Sequence, residues 1–224
     1  MLKISMNEID KLFKAIAESD TLYLPIEKGD QIEFYAYDDD AKVRLDALHT
    51  VKSAKDAFLP NCETMMKFKV EGKNIEIEEE ARISEEFVIF GVRACDARSF
   101  AILDKVYLSD PVDTFYAARR EHGIVVSLGC SRPEETCFCT KFDIDATEPE
   151  GDVTTWIADD VLYWEAKSEK GKALTEKIKA VFEETDNAAV EKQKEEVKAV
   201  LDKLPLNSMD MEYLKGADMM ELFK

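Results

Sequence analysis

Histidine, positive charge and long apolar runs are all scarce in this chain. Its 224 residues include two histidines, His49 and His122. Neither recurs with the other at ligand spacing, so no histidine metal site and no Ser/His/Asp set can be argued. The formal net charge is −18, which argues against nonspecific nucleic-acid binding. No apolar run reaches the roughly 18 residues of a membrane span. The start, Met1 to Glu8, lacks the apolar segment of a secretory signal. Neither G-x-x-x-x-G-K-[ST] nor G-x-G-x-x-G occurs, which removes both phosphate-loop fingerprints. There is no internal repeat, and the acidic run Asp38-Asp39-Asp40 lacks EF-hand spacing. The chain therefore reads as cytoplasmic, where free thiols persist and cysteine clusters bind metal or do redox chemistry.

With 46% hydrophobic residues the chain can build a core without disulfides. The pattern predicts an α/β fold, a mixed sheet with flanking helices and a helical C-terminal extension. Ile9, Leu12, Phe13 and Ile16 recur at helical spacing within Asn7–Ser19. Two short strands flank the Lys28-Gly29-Asp30 turn, and Lys67–Ile77 looks like a hairpin. Glu86–Val92 and Gly123–Leu128 are continuously apolar, hence buried and parallel. Asp96 is a candidate N-cap for a helix over Ala97–Lys105. A hairpin is expected about Asp159-Asp160, then helices over Gly171–Glu184 and Asn187–Leu204, ended by Pro205. Residues 1–168 form the expected core domain, and residues 169–224 the extension.

Four of the five cysteines fall where two strands end. Cys95 follows the first buried strand, Cys130 the second, and Cys137 and Cys139 come shortly after. In an open α/β sheet, ligands collect beyond the carboxyl ends of the strands. If the two strands are neighbours, Cys95 and Cys130 face one crevice. Cys95 also stands at a helix start, where the dipole favours thiolate. In an extended segment Cys137 and Cys139 project to one side, about 6.6 Å apart at Cα, and Phe138 points the other way, toward the core. Five of the seven arginines (Arg93, Arg98, Arg119, Arg120 and Arg132) lie in the same stretch. They read either as scattered surface charge or as an anion site beside a negatively charged cluster. Three readings stay open for the cysteines: a metal or iron–sulfur site, buried structural thiols, or a redox-active pair. Cys62 stands apart and reads as a packing residue.

Four segments carry a family resemblance: Ser53 to Thr64 (SAKDAFLPNCET), Gly91 to Arg98 (GVRACDAR) with Ala101 to Asp104, Tyr116 to Glu121 (YAARRE), and Gly129 to Thr140 (GCSRPEETCFCT). In these the chain resembles the 4Fe-4S dicluster domain family, which takes in sulfhydrogenase β-subunits and the corresponding component of anaerobic sulfite reductases. The resemblance implies an electron-transfer subunit of an anaerobic oxidoreductase complex, partnered by flavoprotein and catalytic subunits and without turnover alone. Beside it, the residue reading gives an iron–sulfur site of this chain's own, a [4Fe–4S] cluster on Cys95, Cys130, Cys137 and Cys139, with Arg93, Asp96, Arg98 and Arg132 as supporting or partner-docking residues. A flavin or nucleotide held at the Gly91–Arg98 turn, or a structural zinc, is the alternative. The family's conventional cluster ligands lie in a ferredoxin-like domain of C-x-x-C runs, and no such run occurs here. The apolar tail Met209, Met211, Leu214, Met219, Met220, Leu222 and Phe223 is expected to face that missing domain or a partner protein.

Overall fold

The structure, a computed structural model, describes residues 1–79 and 85–208. The expectation for the tail from Met209 lies outside the described residues. In chain order the elements are β1 (Leu2–Ser5), α1 (Ile9–Ala17), β2 (Thr21–Lys28), β3 (Gln31–Ala36), β4 (Met66–Glu71), β5 (Asn74–Glu79), β6 (Phe87–Val92), α2 (Ala94–Tyr107), α3 (Thr114–His122), β7 (Gly123–Leu128), β8 (Val153–Ala158), β9 (Val161–Ala166), α4 (Glu169–Ile178), β10 (Glu183–Glu184) and α5 (Ala188–Leu201). Eight strands form one mixed sheet in the order β10-β1-β9-β8-β7-β6-β2-β3. The middle pairings, β8 with β7, β7 with β6 and β6 with β2, are parallel, and the flanking ones are antiparallel. The α/β class read from the sequence is the class observed.

Continuous apolar character in β6 and β7 reflects burial on both faces. Val88, Phe90, Ile124, Val126 and Leu128 meet α1 and α4 through Leu12, Phe13, Ile16, Leu174 and Ile178. Phe87, Ile89 and Val125 turn the other way, toward Phe58, Ala97 and Phe100. The connection from β6 to β7 runs through α2 and α3. Asp113 caps α3 by accepting from the Phe115 and Tyr116 N–H groups at 3.0 and 2.9 Å.

A bulge interrupts β6. The register passes from Phe90–Val126 directly to Val92–Ser127. The skipped residue is Gly91, at φ +93°, a conformation that an L side chain resists. The extra residue returns Val92 to the face of Phe87 and Ile89. Arg93 is thereby re-aimed toward the Leu45–Ala47 segment.

Two sequence expectations change, and one strand appears that the pattern did not show. The first strand, β1, is too short to show a period, and it is fixed by pairing with β9 and β10. The helix expected over Gly171–Glu184 stops at Ile178, because Glu183–Glu184 is drawn into the sheet edge beside β1. Helix α2 begins three residues before its expected start, at Ala94. Arg93, extended at φ −76° and ψ 158°, is its N-cap, and Asp96 falls in the first turn. A carboxylate is favoured there by the helix dipole without capping any N–H. The β4–β5 hairpin stands as a separate two-stranded sheet, with Phe68, Val70, Ile75 and Ile77 all exposed.

One carboxylate ties the sheet to the C-terminal helices. Asp152 accepts from the Val125 N–H at 2.9 Å and from the Ser168 hydroxyl at 2.6 Å. The Ser168 hydroxyl in turn accepts from the Gly171 N–H and caps α4. Asp152→Ala leaves a strand N–H inside the sheet without its acceptor, and should destabilise the fold by about 2–4 kcal/mol. Asp152→Asn should cost less, since one acceptor oxygen survives. Urea unfolding of both variants checks the ranking; equal losses would show that the hydrogen bonds are not what the carboxylate contributes.

Candidate cysteine-rich site

β6 and β7 lie side by side and parallel, so Cys95 and Cys130 leave the same end of the sheet. Between Leu128 and β8 the chain makes a long excursion that carries Cys137 and Cys139. Backbone and side chains pin it back to the sheet. Cys130 N–H donates to Ala146 O at 2.8 Å, Trp156 Nε1 to Thr147 O at 2.7 Å and Thr154 Oγ1 to Pro149 O at 3.1 Å. Gly129 is required by a close approach: a Cβ there would stand 2.6 Å from the Trp156 ring.

The excursion brings Cys137 and Cys139 against Cys130 in one apolar cluster. Helix α5 roofs that cluster with Val197 and Leu201, and Leu204 follows. Lys198 and Lys194 on α5 hold Asp145 at 3.0 Å and Glu148 at 2.5 Å, so the roof is tied to the excursion by charge as well. Cys95 completes the group. Its sulfur acts electrostatically on both Cys130 and Cys139. Cys95 and the Cys130–Cys139 stretch, distant in sequence, thus lie at one end of the sheet. Among the described residues, no three His, Cys, Asp or Glu side chains stand within reach of a single metal ion. All five cysteines are free thiols.

Desolvation is the largest influence on Cys95, Cys130 and Cys139. Desolvation pushes Cys95 up from the ordinary thiol value, and neighbouring Asp96 adds to it. The expectation of a dipole-lowered Cys95 is therefore reversed. The residue exposes area to water, yet protein atoms crowd its sulfur, and the crowding decides the direction. Desolvation also raises Cys130, with Arg93 opposing it. Cys139 is pushed up to about 11, first by desolvation and then by Cys95, Cys137 and Cys130. Backbone N–H groups face the sulfurs. Glu134 N–H donates to Cys137 Sγ at 3.3 Å, and the Arg132 N–H donates toward Cys130.

The arginines separate. Arg98 pairs with Glu150 at 3.2 Å, Arg120 with Asp104 at 2.8 Å and Arg119 with Glu63, so each is answered by a carboxylate. Arg120 also lies over the Phe58 ring. The Arg132 side chain is exposed, and Asp96 is engaged by Lys55. Arg93 alone is buried against the thiols. Its Nη2 donates to Leu45 O at 2.6 Å and Ala47 O at 2.9 Å, its Nη1 donates to Gly129 O at 3.4 Å, and its Nε has no partner. Burial pulls its pKa down, while Cys130, Cys95 and then Asp46 pull it back. The donor set and this buried cation fit an anionic cluster held by thiolates. They fit a phosphate less well, because the cavity of about 370 Å³ that Arg93 lines also carries Asp10, Asp46 and Asp160.

Phe138 departs from its expected place. It is exposed and stacks on Phe142 with ring centroids 5.6 Å apart. The reason is local: Cys139 opens a short 3-10 turn, Cys139–Phe142, so the extended alternation assumed for Cys137 to Cys139 ends there. Sequence reasoning missed the roof. Nothing in the Lys- and Glu-rich pattern of α5 showed that Val197 and Leu201 would lie over cysteines.

The chain is 30% identical over 145 residues to the sulfhydrogenase 2 subunit beta of Pyrococcus furiosus. The match covers 64% of this chain and 41% of that protein, so the chain spans about two-fifths of its relative's length. No family model matches, and no solved structure matches.

Because desolvation keeps Cys95, Cys130 and Cys139 protonated, these three should react slowly with alkylating agents at neutral pH in the metal-free protein. Cys62, which is exposed, should be modified first. Labelling of Cys139 should rise about tenfold per pH unit up to about 11. The stability sign follows. A thiol raised in the fold keeps a proton that the unfolded chain releases, so stability is full below the ordinary thiol value of 9.0 and falls as pH climbs from there toward about 11. Mass-resolved alkylation and denaturant midpoints across that range check both; Cys139 labelled as fast as Cys62 at pH 7 would contradict the burial argument.

Proposed function

We propose that this chain is an electron-transfer module of an oxidoreductase complex, and that Cys95, Cys130, Cys137 and Cys139 hold a [4Fe–4S] cluster. The observation that carries the reading is the gathering of Cys130, Cys137 and Cys139 in one cluster at the sheet end that Cys95 also leaves, beside a buried guanidinium. The similarity to a protein named as a sulfhydrogenase β-subunit supports it. When bound, such a cluster supplies one-electron transfer without proton chemistry. The protein residues do the rest. The four cysteines give up their protons on loading. Backbone N–H groups at Cys130 and Cys137 stabilise negative sulfur. Val197, Leu201 and Leu204 keep water from one side. Flavoprotein and catalytic subunits are the natural donors and acceptors for a module that has no turnover of its own.

Anaerobic reconstitution with iron and sulfide tests the reading. The full chain should take up about four irons, turn brown and give a reducible paramagnetic signal. Cys130→Ser should lose most of that iron, and Cys62→Ser should keep it. One zinc per chain with no iron uptake would point instead to a structural ion, and a yellow preparation to flavin.

A further inference from the structure

The cysteine site contains one charge, that of Arg93, that no carboxylate among the described residues pairs at ion-pair distance. Arg93 is 9% exposed, and its three acceptors, Leu45 O, Ala47 O and Gly129 O, are neutral carbonyls. Its Nε is buried without a partner. The carboxylate that acts on it, Asp46, has both oxygens held by Arg44 at 2.9 Å and is exposed. The groups that act on Arg93 most strongly are Cys130 and Cys95. A buried cation of this kind is costly unless an opposite charge faces it. An arginine does not escape that cost by giving up its proton.

We propose that Arg93 is the fixed counter-charge of the anionic centre held by the four cysteines, and that it raises the reduction potential of that centre. The inference rests on the cluster reading above. Reduction adds one electron to a centre that is already negative, and a cation at close range in a water-poor site favours the reduced form. The three carbonyl bonds hold the guanidinium still, so its field is in place before the electron arrives. Those bonds also fasten Leu45, Ala47 and Gly129 to the strand end beside Cys130, which makes Arg93 a positioning residue. The Gly91 bulge is what aims it there. Arg98, Arg119 and Arg120 cannot substitute, since they face Glu150, Glu63 and Asp104, and the Arg132 side chain is exposed to water.

The test compares reconstituted full-length wild type, Arg93→Gln, Arg93→Lys and the surface control Lys192→Gln by redox titration, with iron content and thermal unfolding measured alongside. Arg93→Gln should lower the midpoint by at least about 59 mV, a tenfold change in a one-electron equilibrium. Arg93→Lys keeps the charge and loses carbonyl bonds, so it should melt earlier and hold a potential close to wild type. Lys192→Gln should change neither. A wild-type potential in Arg93→Gln overturns the role of Arg93 and leaves the cluster reading intact. Failure of the wild type to bind iron overturns the cluster reading and this inference with it. If Arg93→Gln does not load iron, Arg93→Lys decides: a potential near wild type supports the charge, and a marked fall overturns it.

Discussion

The parallel pairing of β6 with β7 is the constraint on which the rest depends. Five matched positions, from Phe87 with Gly123 to Val92 with Ser127, hold the two strands together. Both strands are buried on both faces, so each is fixed by packing as well as by its ladder. At roughly 25 cal/mol per Å² of apolar surface, two fully buried six-residue strands contribute a large share of the driving force for folding. Their shared direction puts Cys95 and Cys130 at one end of the sheet. A one-residue slip would exchange the faces of every side chain on a strand. The Gly91 bulge makes one such exchange on purpose, and only beyond Phe90.

Around that pair the molecule manages charge in two ways. On the surface, carboxylates and cations answer one another, as in Arg44 with Glu27 and Asp46, or Lys198 with Asp145. Such pairs contribute little individually. At the cysteine end the pattern changes. There a guanidinium is buried among carbonyls and thiols, and the thiols are held in their protonated form by desolvation. The guanidinium is costly in that place unless an opposite charge faces it, and an anionic centre on the sulfurs would supply one. This complementarity, more than proximity alone, is what the cluster proposal rests on.

The C-terminal helices belong to the same argument. Helix α4 packs Leu174 and Ile178 into the main core, and Trp164 Nε1 donates to Thr175 at 2.8 Å. Helix α5 places Val190 beside Trp156 and Val197 over the cysteines. Their surfaces are rich in Lys and Glu, and their buried stripes are narrow, so the sequence pattern shows a solvated helix more clearly than its seat.

What the sequence determined by itself was whatever depends on short range. The burial of β6 and β7 was legible in runs with no polar interruption apart from Ser127. The β8–β9 hairpin was legible at Asp159-Asp160, both of which take positive φ. The strand-end positions of Cys95 and Cys130 followed from the same runs. Tertiary structure decided what depends on neighbours distant in the chain. Strand β1 exists because β9 and β10 accept it. Helix α4 ends early because the sheet edge takes Glu183 and Glu184. The Cys95 thiol is raised first by desolvation, which depends on neighbours the sequence alone does not place. Arg93 was one of five arginines in a row of candidates. Only the bulge at Gly91 and the carbonyls of Leu45, Ala47 and Gly129 distinguish it, and those contacts span more than thirty residues of chain in either direction.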